Sequence, residues 1–519
     1  MKRRRAPSGK HTPARGASGA VYPLSLCMIV RNEERFLRDA LTSVQGVVDE
    51  ICIVDTGSTD GTVAIAKAFG ARVEFVPWQD DFSAARNAAL AMATGAWIFV
   101  LDADERLAPE SRAALNGLHG MPPDGAGRWI RCRNYNDPAR KVVASTNLIV
   151  RIFPNDPAIR YRGALHEFVA RTDDERSLPA SMSPIEIVHH GYLPEIMSER
   201  GKHDRNLRLS RAALDAAPDD AALVYNYATS AMLAGKRDIA LAQLERVVAL
   251  TENAERGFRP MALTTLAGLY VDLGRPADAL RVADKCVTVT PSLPDGHFAR
   301  GCALEALGRP GEARAAFEAA IAAGATGSLV HFVVDDEITA WKAYNEIARS
   351  FLAENRFAEA EEWFERGLAR SPKARTLLLN RARAREAQGD FAGALSAFRA
   401  VYEEFRDEAA AIEYVNYVLR HDSPDEVLVA VEAALPLLGD DYRRAFLASA
   451  AAVMLRAQRR GDAFVLVRQA LVVGNVPSAG HAVVKALAQH YGSPELADVL
   501  NECFLSMVPA TAGPSRDAR

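Results

Sequence analysis

Short apolar runs rich in β-branched residues punctuate the first hundred positions: Leu24–Val30, Glu50–Val54, Arg72–Val76 and Trp97–Leu101. Between them lie stretches whose apolar residues recur at helical spacing, Glu33–Gln45, Thr62–Phe69 and Ser83–Ala93. Strands alternating with amphipathic helices predict an α/β domain built on a doubly wound, Rossmann-like, mostly parallel sheet. In such sheets ligands bind beyond the carboxyl ends of the strands, so the residues that follow each strand are the ones to read for chemistry.

From about residue 205 the pattern changes to Ala-rich helix. A Gly or Asn followed five residues later by Ala returns as Gly235/Ala240, Gly274/Ala279, Gly308/Ala313, Asn355/Ala360 and Gly389/Ala394. Two of the four intervals equal the tetratricopeptide period, and the other two are that period with insertions, the longer around Ala323–Asp336. Leu266, Tyr270, Gly274, Ala279 and Pro291, then Tyr344, Phe351, Ala360, Phe364 and Pro372, fall where this repeat places its large, aromatic, turn, small and terminating residues. Small residues let paired helices approach, and each pair buries its face only against its neighbours. An all-α tetratricopeptide-type solenoid is therefore predicted over 206–505, after an α/β domain over 21–205. Beyond Ala409 the pattern blurs, with Gly461-Asp462-Ala463 a candidate further unit. The ends, 1–20 and 506–519, read as disordered tails.

Composition adds limits. The chain has 519 residues, 49% hydrophobic and 25% charged, the profile of an ordinary globular protein rather than a disordered or fibrous one. Its net charge of −4 conceals six unopposed cations in residues 1–20 (Lys2, Arg3, Arg4, Arg5, Lys10 and Arg15), so the remainder carries −10 and is a poor general nucleic-acid binder. The tail reads as a solvated arm or as an adhesive for an anionic membrane face or partner. Six dispersed cysteines lack any zinc-ligand spacing and read as reduced core thiols of a cytoplasmic protein. No run is long enough for a transmembrane segment, and the start lacks a cleavable signal pattern.

Three strand ends carry candidate chemistry. Asp55-Thr56-Gly57-Ser58-Thr59-Asp60-Gly61-Thr62 follows the second strand and reads either as a capped turn or as a polar ligand loop; without a final lysine it is not a phosphate-binding P-loop. Asp102-Ala103-Asp104-Glu105 follows the fourth, and two carboxylates one residue apart suit a hard divalent cation that also touches a diphosphate, although exposed acidic loops are common. Asp80-Asp81-Phe82-Ser83-Ala84-Ala85-Arg86-Asn87 opens a helix, its acids matching the helix dipole and its arginine able to reach a phosphate. Further on, Tyr161–Glu167 and Ile187–Tyr192 concentrate titratable groups and glycine.

Taken in order, CMIVRNEE (Cys27–Glu34), IVDTGSTDGT (Ile53–Thr62), DDFSAARNAAL (Asp80–Leu90) and VLDADERL (Val100–Leu107) resemble family 2 glycosyltransferases of the GT-A fold. With HE and HHGY downstream and tetratricopeptide repeats behind, the resemblance is closest to the branch that contains sublancin-type peptide S-glycosyltransferases and lipopolysaccharide-core glucosyltransferases. It covers about residues 22–205. It implies transfer of a sugar, with inversion, from a nucleoside-diphosphate sugar, most simply a UDP-sugar, to a peptide, protein or glycan acceptor. By the same resemblance Val30, Arg31, Asn32, Glu33, Asp55, Ser58, Asp60, Asp81, Arg86, Asn87 and Gly163 lie on the donor side. Asp102, Asp104 and His189 are the expected ligands of Mn²⁺ or Mg²⁺, and Glu167 falls where the fold keeps its catalytic base.

Thr56 departs from the family, many of whose members have a second acid there. Glu105 is an alternative base, or a solvated or supporting acid. Lys202, Arg205 and Asn206 resemble a recurring motif at the domain junction. The repeats offer a groove for the acceptor or for a protein partner such as cell-surface assembly machinery, or they buttress the catalytic domain. A repeat scaffold with an inactive glycosyltransferase-like domain is the competing reading; it would be expected to lack the acids that this chain has.

Overall fold

A computed structural model describes residues 21–137, 142–173, 177–189, 200–252, 258–324, 334–421 and 423–473. Both tails, the HGY of the HHGY segment and the centre of the Ala323–Asp336 insertion lie outside the described residues.

The first element is strand β1 (Leu24–Val30), followed by helix α1 (Leu37–Val44), β2 (Glu50–Asp55), α2 (Thr62–Ala68), β3 (Arg72–Phe75), α3 (Phe82–Met92) and β4 (Trp97–Val100). These match the expected elements closely, with one informative exception. Helix α1 begins at Leu37 rather than Glu33, because the Glu33 and Glu34 backbone N–H groups are drawn to Thr62 Oγ1 (2.7 Å) and Asp60 Oδ2 (3.2 Å) instead of entering a helix.

Six further strands complete the domain: β5 (Glu105–Leu107), β6 (Gly127–Asp137), β7 (Val142–Pro154), β8 (Ile159–Arg162), β9 (Phe168–Arg171) and β10 (Ala180–His189). The main sheet runs β3-β2-β1-β4-β7-β6-β10-β5, and β8 and β9 form a separate hairpin. Strands β3, β2, β1 and β4 are parallel, but β7 is antiparallel to both its neighbours and β5 is antiparallel to β10. The mostly parallel expectation thus holds for the half that alternates with helices and gives way to a mixed half beyond β4.

Strand order reverses at β1, which opens a crevice at the carboxyl ends of β1 and β4. Being covered on both faces, β1 is buried along nearly its whole length, and its residues alternate between two cores. Leu24, Leu26 and Met28 join Leu37, Leu41 and Trp97 on one face, while Cys27 joins Cys52, Ala89, Leu90 and Phe153 on the other. Truncating a large, fully buried side chain such as Trp97 would cost about 3–5 kcal/mol.

The chain divides into two compact units, 1–343 and 344–519, so the first repeats share a unit with the sheet. Within that unit Thr146 of β7 exchanges backbone hydrogen bonds with Val334, and its hydroxyl bonds Asp336, both beyond helix Pro310–Gly324. Arg208, on the helix Arg200–Ala216, pairs with Asp80 at 2.9 Å, and Arg205 lies over the Phe82 ring. Lys202 is on the same helix.

The repeat pattern holds residue by residue. Gly235, Gly274, Gly308, Asn355 and Gly389 all adopt the left-handed conformation between paired helices, with φ between +58° and +86°. Ala240, Ala279, Ala313, Ala360 and Ala394 are all fully buried. In the second unit the helices continue past Ala409, through Glu408–His421, Pro424–Ala434, Asp440–Arg456 and Arg460–Val473. Gly461-Asp462-Ala463 belong to a further helical pair: among the described residues its turn is at Gln458 (φ +64°), and Ala463 takes the buried small position.

The five described cysteines are free. Among the described residues no helix is long and apolar enough to cross a membrane.

Candidate active site

Two loops meet at the switch point, one after β1 and one after β2. Asn32, held at φ +56°, takes the backbone N–H of Thr59 on its side-chain oxygen (2.8 Å) and donates its own N–H to Ser58 Oγ (2.9 Å). Asp60 bonds Thr62 and the Glu34 N–H, and Glu34 returns a bond to the Gly61 N–H at 2.9 Å. Asp55, buried at the end of β2, accepts from the N–H groups of Gly57 and Ser58. Thr56 turns inward and donates its hydroxyl to the Val30 carbonyl (3.2 Å), which fastens β2 to β1. Arg31 is exposed at the rim of this loop pair.

Phe75 was not anticipated. It pairs in register with Asp55 at the carboxyl end of the edge strand, is 67% exposed, and its ring passes 4.0 Å from where a Cβ on Gly57 would stand.

Helix α3 is fixed at its start. Asp81 caps it by accepting from the Ala84 N–H (2.9 Å), and Asn87 grips the Tyr161 backbone with both amide groups at 2.9 Å. Ser83 Oγ donates to the Gly163 carbonyl (2.6 Å), and the Phe82 N–H donates to the carbonyl of Ala164. Gly163 sits at φ +96° and His166 at +56°, a path that delivers Glu167 to α3. Of the donor-side residues expected on this helix, Asp81 and Asn87 are thus engaged in fastening it, and Arg86 faces the acids.

The centre is a buried charge cluster. Arg86 donates from Nε to Glu167 Oε1 (2.6 Å) and from Nη2 to Asp102 (2.9 Å). Arg151 of β7 reaches Asp102 Oδ2 (2.6 Å) and Glu105 Oε1 (3.0 Å) through one nitrogen. Glu105 closes the turn by accepting the Asp102 N–H on Oε2 (2.8 Å). It is 3% exposed, so the solvated reading of this acid is corrected: β5 pairs with β10 and carries it inward. Burial pushes the Glu105 carboxyl up, whereas for Asp102 the same burial is outweighed by Arg151 and Arg86, which hold it well below the usual carboxylate range. Tyr161, under the Arg86 guanidinium at 5.4 Å, is pushed up to about 12 by burial.

Asp104 points the other way along the turn. Its Oδ2 lies 3.3 Å from His189 Nε2, and His189 Nδ1 is 2.8 Å from Asn134 Oδ1. Burial disfavours the imidazolium, but the Asp104 carboxylate more than offsets this and raises the histidine pKa. Among the described residues no three His, Cys, Asp or Glu side chains are grouped as a metal cluster. The donor set that fits a divalent cation is the Asp104–His189 pair, an oxygen and a nitrogen with the ring oriented by Asn134, while the Asp102 oxygens are occupied by guanidinium groups.

The structure thus brings together Arg86, Asp102, Asp104, Glu167 and His189 from four separate segments, and groups Val30, Asn32, Glu33, Asp55, Ser58 and Asp60 at the stitched ends of β1 and β2. The sequence reading missed Arg151, Asn134 and Phe75. A single arginine inside the apolar run Leu148–Phe153 was the signal for the first.

A parallel half-sheet with acids at its strand ends, followed by helical pairs, makes an α/β domain joined to a repeat array. Residues 25–142 match the family model of glycosyl transferase family 2, and residues 264–328 and 345–411 match that of the tetratricopeptide repeat. A TPR repeat-containing protein of Synechococcus elongatus is 37% identical over 210 residues, which is 39% of this chain and 51% of that protein. The SPbeta prophage-derived glycosyltransferase SunS of Bacillus subtilis is 25% identical over 282 residues, 53% of this chain and 65% of that one. An uncharacterized glycosyltransferase of Rickettsia typhi is 39% identical over 87 residues, 17% of this chain and 30% of that one. The chain therefore carries an N-terminal glycosyl transferase family 2 domain and tetratricopeptide repeats, and spans less than two thirds of the length of each of these relatives.

Proposed function

We propose that this protein is an inverting glycosyltransferase that moves a sugar from a nucleoside-diphosphate sugar to a peptide, protein or glycan acceptor. The observation that carries the reading is the meeting of Arg86, Asp102 and Glu167 beside the Asp104–His189 pair, at strand ends of a family 2 domain.

In this reading Asp55 and the stitched loops face the nucleoside, and the open face of Phe75 offers a platform on which its base stacks. Asp104 and His189 would hold Mn²⁺ or Mg²⁺, which supplies charge stabilisation for the departing diphosphate. Glu167 takes the proton of the acceptor nucleophile as that atom bonds the anomeric carbon and the carbon–oxygen bond to the diphosphate breaks. Arg86 holds the Glu167 carboxylate by one oxygen; the other has no protein partner among the described residues and is the one left to accept the proton. A single displacement needs one base and no carboxylate nucleophile, which is why inversion is preferred. The repeats provide an extended surface for a protein acceptor or partner.

The test is a Mn²⁺-dependent binding and donor-hydrolysis screen over UDP-, GDP- and dTDP-sugars, comparing wild type with Asp104→Asn and Asp102→Ala/Asp104→Ala. Metal-dependent turnover of one donor, lost in both variants, supports the reading. Absence of donor binding with either metal overturns it and favours a repeat scaffold.

A further inference from the structure

Arg151 is a largely sheltered cation supplied by β7, a strand with no acidic or glycine-rich motif, and it reaches the turn that carries Asp102 and Asp104. That turn, Asp102-Ala103-Asp104-Glu105, closes on itself: the Glu105 N–H donates to the Asp102 carbonyl at 3.0 Å, and Glu105 Oε2 accepts the Asp102 N–H at 2.8 Å. Closure brings the buried Glu105 carboxylate close to that of the half-buried Asp102, where like charges repel and one of them would otherwise swing out. Arg151 removes that conflict because a single Nη2 lies 2.6 Å from Asp102 and 3.0 Å from Glu105. With both acids turned toward Arg151, Asp104 is the carboxylate left facing His189.

Hydrogen-bond satisfaction alone does not account for the arrangement. The buried Nε of Arg151 has no partner, and neither do the neighbouring Arg86 Nη1 and Tyr161 hydroxyl. A site holding surplus donors around one carboxylate is organised for charge rather than for complete bonding.

We propose that Arg151 is a positioning residue, which acts by clamping Asp102 to Glu105 so that Asp104 and His189 are presented as a preformed ligand pair. The inference rests on the reading of the site as a cation and donor site. Arg151 bonds the turn, at Asp102 and Glu105, so its removal should weaken cation binding and slow the chemistry while leaving the nucleoside end of the site intact.

The experiment uses the full chain and titrates Mn²⁺ in the presence of UDP, or of whichever nucleoside diphosphate the wild type binds, alongside metal-free nucleotide binding and donor hydrolysis. Arg151→Ala is expected to raise the Mn²⁺ dissociation constant and lower kcat by about 10–100-fold, as loss of partners that orient metal ligands does elsewhere. Metal-free nucleotide binding should stay within about threefold, an effect smaller than one hydrogen bond. Arg151→Lys, which keeps the charge but loses the planar fork, should recover part of the loss. Adding Glu105→Gln to Arg151→Ala should also restore Mn²⁺ affinity, because the carboxylate conflict is then gone.

Mn²⁺ affinity within twofold of wild type in Arg151→Ala, or no rescue by Glu105→Gln, overturns the proposal. If Arg151→Ala does not fold, Arg151→Lys carries the test, and unchanged Mn²⁺ affinity there overturns it equally. Wild type that binds nucleotide but shows no Mn²⁺ dependence refutes the clamp while leaving sugar-nucleotide binding standing. Wild type that binds neither refutes the functional reading and the clamp with it.

Discussion

Arg86 on α3 and Glu167 beyond β8 are separated by 81 residues and meet at 2.6 Å, through a guanidinium that also holds Asp102. One buried cation thus joins the proposed base to the acid that follows β4, so neither carboxylate can be repositioned without the other. This coupling sets what substitutions at the centre should do.

Removing Arg86 leaves Glu167 unpaired and Asp102 with Arg151 as its one cation. Arg86→Ala should lower stability by about 3–5 kcal/mol, the range seen when one partner of a buried ion pair is deleted. Arg86→Lys should recover only part, since a lysine cannot serve two carboxylates in fork geometry. Urea unfolding of the three proteins followed by circular dichroism measures this; a loss under about 1 kcal/mol would mean that the cluster is hydrated and contributes little.

Glu167→Gln keeps the shape and an acceptor for Arg86 but cannot take a proton. It should reduce kcat by about 10²–10⁴-fold, the usual contribution of a general base, with donor KM near wild type. Single-turnover kinetics with a competent acceptor reads the chemical step directly. A loss of less than tenfold would move the base elsewhere, and Glu105, buried and closed onto the Asp102 N–H, is poorly placed to replace it.

What the sequence disclosed follows from range. β1, β2 and α3 were legible to within a residue or two because local periodicity dictates them, and the five Gly/Asn turn positions because each needs a left-handed backbone that few residues adopt. The turn before Ala463 was hidden because Gln458 occupies it. Asp102, Asp104 and Glu167 were visible as motif residues, as were their partners Arg86 and His189, but Arg151 was not, because it comes from an antiparallel strand whose place beside β4 is set by long-range pairing. The late start of α1 was hidden for the same reason, since Glu33 and Glu34 bond across to the β2 loop.

Within the repeats of the first unit, glycine plays two different roles that one substitution each can separate. A Cβ on Gly301 would stand 2.4 Å from Phe317 Cε1, a fully buried ring. Gly301→Ala should destabilise by about 1–3 kcal/mol through overpacking. On Gly311, also helical, a Cβ would meet nothing within 4 Å, so Gly311→Ala should be neutral or stabilising by up to about 1 kcal/mol. Thermal unfolding monitored at 222 nm should move in opposite directions, or down for the first alone; a fall for Gly311→Ala would contradict the open space assigned there.

Asp295 gives the repeats of the first unit a pH dependence whose sign is fixed by burial. Its Oδ1 accepts the Asp335 N–H at 3.3 Å, while its buried Oδ2 has no partner. Burial pushes the carboxyl up to about 6 from an ordinary value of 3.8; the charge of Asp335 adds to this and Lys342 opposes it. Between those values the unfolded chain is ionised while the folded one keeps its proton, so the fold loses stability as pH rises through this window. Above about pH 6 both states are ionised and the full cost is present, at most about 3 kcal/mol for a shift of this size. Asn retains the Oδ1 acceptor and has no charge to bury. Asp295→Asn should therefore be more stable than wild type at pH 8, by an amount that shrinks steadily toward pH 5. Urea midpoints of both proteins at half-unit steps test this, and a difference that does not change with pH would show that Asp295 is solvated in the fold.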